Sequence, residues 1–514
     1  MIRDIVVGID SSTSATKAIA WDRQGTPLAE GRAAIPLANP QPGYFEQDPR
    51  DWWASGRAAL RQLIQQVAPA RIAAVAISNQ RETFGLFDEA GEALRPGMIW
   101  LDDRATAQQR RFGESFGAAR VHDISGKPLD VIPCLYRIIW VREHEPELFA
   151  RAARIADVHG YLCHRLTGRW ATSTGSADPM GMLDMRSLDW SDAILAAAGV
   201  PRGKMLPLVP PGGLLGKITP AAAGETGLPA GTPLFAGGGD GQCAGTGVAA
   251  LRPGRAYINL GTAVVSGTYG ETYAADPAFR TETAIAERGY IFETCLRSGT
   301  FLIDWLLGEV FGIAPSGRAA ALALLEAEAS QSPIGAGGVV VVPYWQGCMT
   351  PHWDSAARGL IAGLSGSTRK GDIFRALLEG IALDLAEAVQ RAVRATGAGI
   401  DHFVAIGGGA ASDLWLQILA DAIGRPVLRS TTTEASSLGA AIAAARGVGW
   451  FGSFAAAASA MAQPPARSFA PDAARAARYA DLRAIHADLW PSVAGWNRRL
   501  RAFGETAPMP LSGD

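Results

Sequence analysis

The five cysteines, Cys134, Cys163, Cys243, Cys295 and Cys348, form no Cys-x-x-Cys pair. That excludes a paired-cysteine zinc site, offers no disulfide framework and fits a reducing compartment. An excess of positive charge is also missing. With 47 Lys and Arg against 49 Asp and Glu, the net charge is -2, which leaves no electrostatic footprint for nucleic acid. Met1 to Asp10 lacks the basic start, long apolar stretch and cleavage site of a signal peptide, and no apolar run approaches a membrane span. The expectation is a cytoplasmic protein with no membrane partner. Neither a Walker A motif nor a protein-kinase glycine loop occurs, so both of those nucleotide-binding classes lack their defining residues.

What is present points to a large globular chain with a small-molecule ligand. At 514 residues it exceeds one ordinary hydrophobic core, so two domains with a cleft between them are expected. Ile5 to Asp10 reads as a strand, Ser11 to Ser14 as a polar turn and Lys17 to Trp21 as a second strand. A helix around Trp52 to Val67 and a strand at Ile72 to Ser78 complete a mixed α/β opening. The pattern restarts later, with Ala256 to Leu260, the turn Gly261-Thr262-Ala263, and Val264 to Tyr269. This weak echo is an internal duplication signal. It places a lobe boundary near Ala249 and divides the chain into 1–248, 249–490 and a tail, 491–514.

In the second half, Phe374, Leu377, Leu378, Ile381, Leu385 and Val389 recur at helical spacing. A strand, Phe403 to Ile406, then breaks into Gly407-Gly408-Gly409 and resumes as a helix from about Ser412 to Ile423, a candidate nucleotide site. The Gly447 to Gly452 stretch matches GxGxxG but follows a helical run, so it reads as a helix terminus. Beyond Phe454 the alanine-rich tail reads as helical, with Glu505 to Asp514 frayed.

Asp10 stands at a strand end before Ser11, Ser12, Thr13 and Ser14, a turn able to aim N–H groups at phosphate while the acid holds magnesium. The same residues could form a polar turn that merely reverses the chain. Gly261-Thr262 and Gly407-Gly408-Gly409 add two further turns, and three together suggest a nucleotide site split across a cleft. Asp240 in Gly237-Gly238-Gly239-Asp240-Gly241 is an acid that a ligand can approach closely; its plainer role would be to cap the following helix.

From GIDSSTSATKAIAWD through GYFEQDPRDWW, NQRET, GGGDGQ, INLGT and RGLIAGLSGSTRKGDIFRALLEG to AIGGGAASDLWLQILADAIGRPV, the chain resembles the FGGY carbohydrate kinases over roughly residues 4 to 450. The resemblance implies an α/β fold of two ribonuclease-H-like lobes, of the actin/hexokinase superfold, with ATP and Mg²⁺ bound in the cleft. Asp240 corresponds to the catalytic base and, with Asp10, to the metal site. Ser12, Thr13, Ser14, Lys17, Gly261, Thr262, Gly408, Gly409 and Asp413 would bind ATP. Gln80, Arg81, Glu82, Trp100, Asp102 and Asp240 would bind the sugar.

On the sugar side the pattern is mixed. Gln80-Arg81-Glu82-Thr83 resembles the polyol-gripping loop of glycerol kinases, yet the aromatic residue of that pattern is missing near Ile132, and Val265 stands where a phenylalanine would. Trp100 to Arg104, Trp140 to Glu147 and Pro343 to Gly359 resemble xylulokinases, whose QMHG loop is here QRET. The expected activity is phosphoryl transfer from MgATP to a pentulose-like sugar, with D-xylulose foremost and glycerol or another polyol or ketose as alternatives. A rival of another class is an ATP-binding, sugar-sensing regulator without catalysis. A homodimer is left open.

Overall fold

The structure, a computed structural model, describes residues 3–505; of the frayed tail read from Glu505 to Asp514, all but its first residue lies outside them. The first sheet begins with β1 (Ile5–Ser11), β2 (Ala15–Trp21) and β3 (Pro27–Ala34), an antiparallel meander. Helix α1 (Pro49–Ile64) follows and leads to β4 (Ile72–Asn79), parallel to β1. Much later come β5 (Leu214–Lys217) and β6 (Pro233–Gly239), then α2 (Asp240–Gly247). The six strands lie in the order β5-β6-β4-β1-β2-β3.

The second sheet repeats the plan. It contains β7 (Gly254–Leu260), β8 (Val264–Gly270), β9 (Arg280–Thr283) and β10 (Tyr290–Leu296), antiparallel in succession where paired. Helix α3 (Lys370–Thr396) crosses to β11 (Ile400–Ile406), which runs parallel to β7. Then come α4 (Asp413–Ile423), β12 (Val427–Arg429), α5 (Ala435–Gly447), the short strand β13 (Arg467–Phe469) and the long helix α6 (Ala473–Glu505). The order is β9-β10-β8-β7-β11-β12-β13. Its central run β10-β8-β7-β11-β12 matches β3-β2-β1-β4-β6 of the first sheet, so the duplication read in the sequence is a duplication of topology.

Side-chain alternation explains how β1 is covered. Ile5, Val7 and Ile9 pack with Trp52 and Leu60 of α1, whereas Val6 faces the opposite layer with Leu438 and Ile442 of α5. Gly8 shares that second face because a Cβ there would lie 2.0 Å from the Ser437 carbonyl oxygen. In the second lobe, Phe374, Leu377, Leu378, Ile381 and Leu385 of α3 are buried, each contributing about 1.5–3 kcal/mol. One expectation needs correction. The tail is not wholly helical, since β13 pairs antiparallel with β12; three residues are too few to show a strand period. Helix α5, within the segment 249–490, packs against β1 and β4 of the first sheet.

Candidate active site

Three parallel strands end side by side. Asp10 pairs with Ser78 across β1 and β4, and Gly239 pairs with Asn79 across β6 and β4. The residues that leave those ends, Asp10, Gln80-Arg81 and Asp240, therefore meet at one sheet edge, where open α/β sheets place their ligands. Ser78 Oγ donates to Asp10 Oδ1 at 2.8 Å. Burial, reinforced by the nearby Asp240 charge, pushes the Asp10 carboxyl up to about 7. Burial raises Asp240 as well, against the opposing pull of Arg81, whose Nε lies 3.2 Å from Asp240 Oδ1. Asp240 still keeps 39% of its side chain open to solvent. Two adjacent carboxylates with surplus negative charge are hard oxygen donors of the kind Mg²⁺ takes in ones and twos beside phosphate, so these residues fit that ion. Among the described residues no cluster of three or more metal-type side chains occurs.

The first phosphate-type turn is tight: Ser12 donates through both N–H and Oγ to the Ala15 carbonyl, at 3.0 and 2.8 Å. Thr13 Oγ1 accepts from Trp100 Nε1 at 2.8 Å, tying the expected sugar wall to the turn, and Ser14 is exposed. Lys17 is held by Glu434, with Nζ to Oε2 at 2.6 Å, so its ammonium is engaged by the residue that precedes α5. In the second lobe the turns at Gly261-Thr262 and Gly407 to Gly409 leave neighbouring strand ends, because Asn259 of β7 pairs with Ile406 of β11. The three glycines there differ in purpose. Gly407 has φ +85° and lies against Leu260, a Cβ at Gly409 would meet Trp415 at 2.5 Å, and Gly408 faces open space. Thr262 is exposed. Asp413 is clamped by Arg429 and Arg467, and the Arg429 hydrogen bond holds its carboxyl below the usual range.

On the sugar side, Gln80 donates to Gln47 Oε1 at 2.8 Å and is buried. Arg81 Nη1 donates to both Glu293 oxygens at 3.0 Å, and Glu82, at φ +46°, accepts from Arg280 Nη1 at 2.6 Å. Asp102 requires a correction. Its carboxylate is fully buried, accepting from Phe45 N at 2.8 Å and paired with Arg104, so it braces the Trp100 loop instead of facing a ligand. Ile132 and Val265, where aromatic residues were missing, join Cys295, Met349 and Trp353 in a small apolar cluster. Sequence reasoning missed Glu293, Arg280, Glu434, Arg429, Met349 and Trp353 as partners of the site, for none lies near its partner in the chain. Cys243 is buried and its thiol is pushed up by desolvation, which leaves it poorly suited to act as a nucleophile.

Two lobes of one strand order, with acids and small-residue turns gathered at parallel strand ends, define a two-domain kinase of the actin/hexokinase type. The N-terminal and C-terminal domain models of the FGGY family of carbohydrate kinases match residues 5–247 and 256–448. A xylulose kinase of Bacillus subtilis (strain 168) is 32% identical over 505 residues, 97% of this chain and 99% of the relative. A glycerol kinase of Methylibium petroleiphilum is 32% identical over 466 residues, 87% of this chain and 91% of the relative. The crystal structure of xylulose kinase from Rhodospirillum rubrum superposes with a TM-score of 0.89 at 27% identity, covering 96% of this chain and 99% of that one. The chain belongs to the FGGY family of carbohydrate kinases and is a sugar kinase phosphotransferase.

Proposed function

We propose that the protein transfers the γ-phosphoryl group of ATP to a hydroxyl of a ketopentose, D-xylulose foremost, with Asp240 as the general base. The observation that carries this reading is the carboxylate of Asp240, part open to solvent, 3.2 Å from Arg81 and beside Asp10 at the open ends of three parallel strands. As the hydroxyl oxygen bonds to phosphorus and the bond to ADP breaks, its proton passes to Asp240. Arg81 and Trp100 orient the sugar, while the turns at Thr13, Thr262 and Gly408 receive the phosphates and nucleoside. Magnesium held by Asp10 with Asp240 would screen phosphate charge. The similarity to the Bacillus xylulose kinase across nearly the whole chain supports a ketopentose, and the same identity to a glycerol kinase over a shorter stretch keeps polyols in the screen. Five buried, unpaired cysteines suit the cytoplasm.

The test is ADP release over a panel of ketoses, aldoses and polyols. D-xylulose should give the highest kcat/KM, and a stronger response to glycerol would replace the sugar while keeping the class. Asp240→Asn should lower kcat by roughly a hundredfold to ten-thousandfold while MgATP still raises the melting temperature. Near-normal turnover in that variant would remove Asp240 from the chemistry, since asparagine keeps the shape but cannot take the proton.

A further inference from the structure

The guanidinium of Arg81 is planar, so fixing one of its nitrogens fixes the direction of the others. Its Nε lies 3.2 Å from Asp240 Oδ1, and Nη1 is gripped by both oxygens of Glu293 at 3.0 Å. Glu293 lies on β10 in the second sheet, 212 residues further along the chain. The same carboxylate accepts from Arg280 Nε at 2.6 Å, and Arg280 Nη1 in turn holds Glu82 at 2.6 Å. Both charged residues of the sugar loop are thus clamped by a residue of the opposite lobe. Tyr257 Oη, 3.3 Å away, donates to Glu293 Oε1 as a further brace.

The glycines around Asp240 make room for this contact. A Cβ at Gly239 would lie 2.5 Å from Arg81 Cγ, and one at Gly241 would lie 3.0 Å from both Glu293 Oε1 and Arg81 Cζ. Glu293 and Arg280 are deeply buried. A buried ion cluster is costly to desolvate and earns little stability in return, so its service is better sought in geometry. We propose that Glu293 is a positioning residue for phosphoryl transfer: from the second lobe it holds the Arg81 guanidinium beside the Asp240 carboxylate and the sugar site. Asp240 and Arg81 are then in working order only while the two lobes are together. The inference rests on the reading of Asp240 as base and Arg81 as sugar ligand.

Two variants separate charge from reach. Glu293→Gln keeps the side chain's length and removes its charge; Glu293→Asp keeps the charge and draws it back by one methylene. Each should lower kcat/KM for the sugar by roughly tenfold or more, through both kcat and sugar KM, as expected on loosening one charged hydrogen-bonded pair. KM for ATP should stay within about twofold, since no contact of Glu293 touches the ATP turns. Melting curves accompany the kinetics. If either variant folds and keeps wild-type kcat and sugar KM, the proposal falls. It also falls if ATP and sugar KM rise in parallel, or if neither variant folds, because Glu293 would then be a structural residue only. Should Glu293→Gln alone fail to fold, Glu293→Asp decides. A fully active Asp240→Asn would sink the base assignment itself, whereas an inactive Asp240→Asn beside a normal Glu293→Gln would sink this inference alone.

Discussion

Asp384 sits on the buried face of α3, where Tyr344 Oη donates to Oδ1 at 2.9 Å and Oδ2 has no hydrogen-bond partner. Burial pushes its carboxyl up to about 7 from the usual 3.8. The folded chain therefore holds a proton between about pH 4 and 7 that the unfolded chain releases, and stability falls as pH rises through that window. The full difference corresponds to roughly 4 kcal/mol at most. Asp384→Asn keeps an acceptor for Tyr344 and has no charge to bury. Its unfolding free energy should match the wild type near pH 4 and exceed it by a margin that widens up to pH 7 and then levels off. A constant margin across pH would show that Asp384 does not ionise on unfolding in that range. At this scale the sequence was most readable where a residue's surroundings are local. Asp240 among its glycines and Asp10 before a hydroxyl-rich turn announce themselves. Asp102 did not, because its carboxylate accepts from Phe45 N and its neighbour Arg104 pairs with Glu46, both far back in the chain. Arg81 was legible as a loop arginine but not as one arm of an ion cluster whose other arm follows 212 residues later.

The helices α2 and α5 cross with backbone against backbone. A Cβ on Gly439 would fall 1.9 Å from the Cys243 carbonyl oxygen, and one on Gly247 would fall 2.1 Å from that of Ala435. Ser436 Oγ donates to the Asp240 carbonyl at 3.1 Å, so this crossing also seats the first residue of α2. Gly439→Ala must push the helices apart, an overpacking expected to cost about 1–3 kcal/mol or more. It should lower the urea midpoint and reduce kcat together, because Asp240 rides on the displaced helix. An unaltered midpoint would mean that the crossing yields without cost. Most elements were legible from their periods: α3, β4, β11 and α4 with its Ser412 cap lie where the pattern puts them. The place of α5 was not. Its signal was a helix apolar on every side, which only burial between layers satisfies; nothing local says which sheet covers it.

At the scale of the molecule, the repeated strand order and the repeated turns make the fold readable from two echoes in the sequence, while the sugar depends on side chains drawn from both lobes. The placement of α5 bears on how such a chain comes into being. Ser437 donates to the carbonyl of Gly8, a contact spanning 429 residues. At synthesis rates of about 5–20 residues per second, β1 waits roughly 20 to 90 seconds after leaving the ribosome for the helix that covers one of its faces. The first lobe, although drawn from the first half of the chain, thus cannot close its core by itself. A fragment ending at residue 250 should melt without cooperativity and bind apolar dyes, and supplying residues 251–505 in the same cell should restore a soluble complex with kinase activity. A fragment with a sharp melting transition would show that the exposed face is tolerated. Otherwise the nascent first half needs shelter from its own apolar surface, and translation that stops short of α5 leaves neither lobe in its finished form.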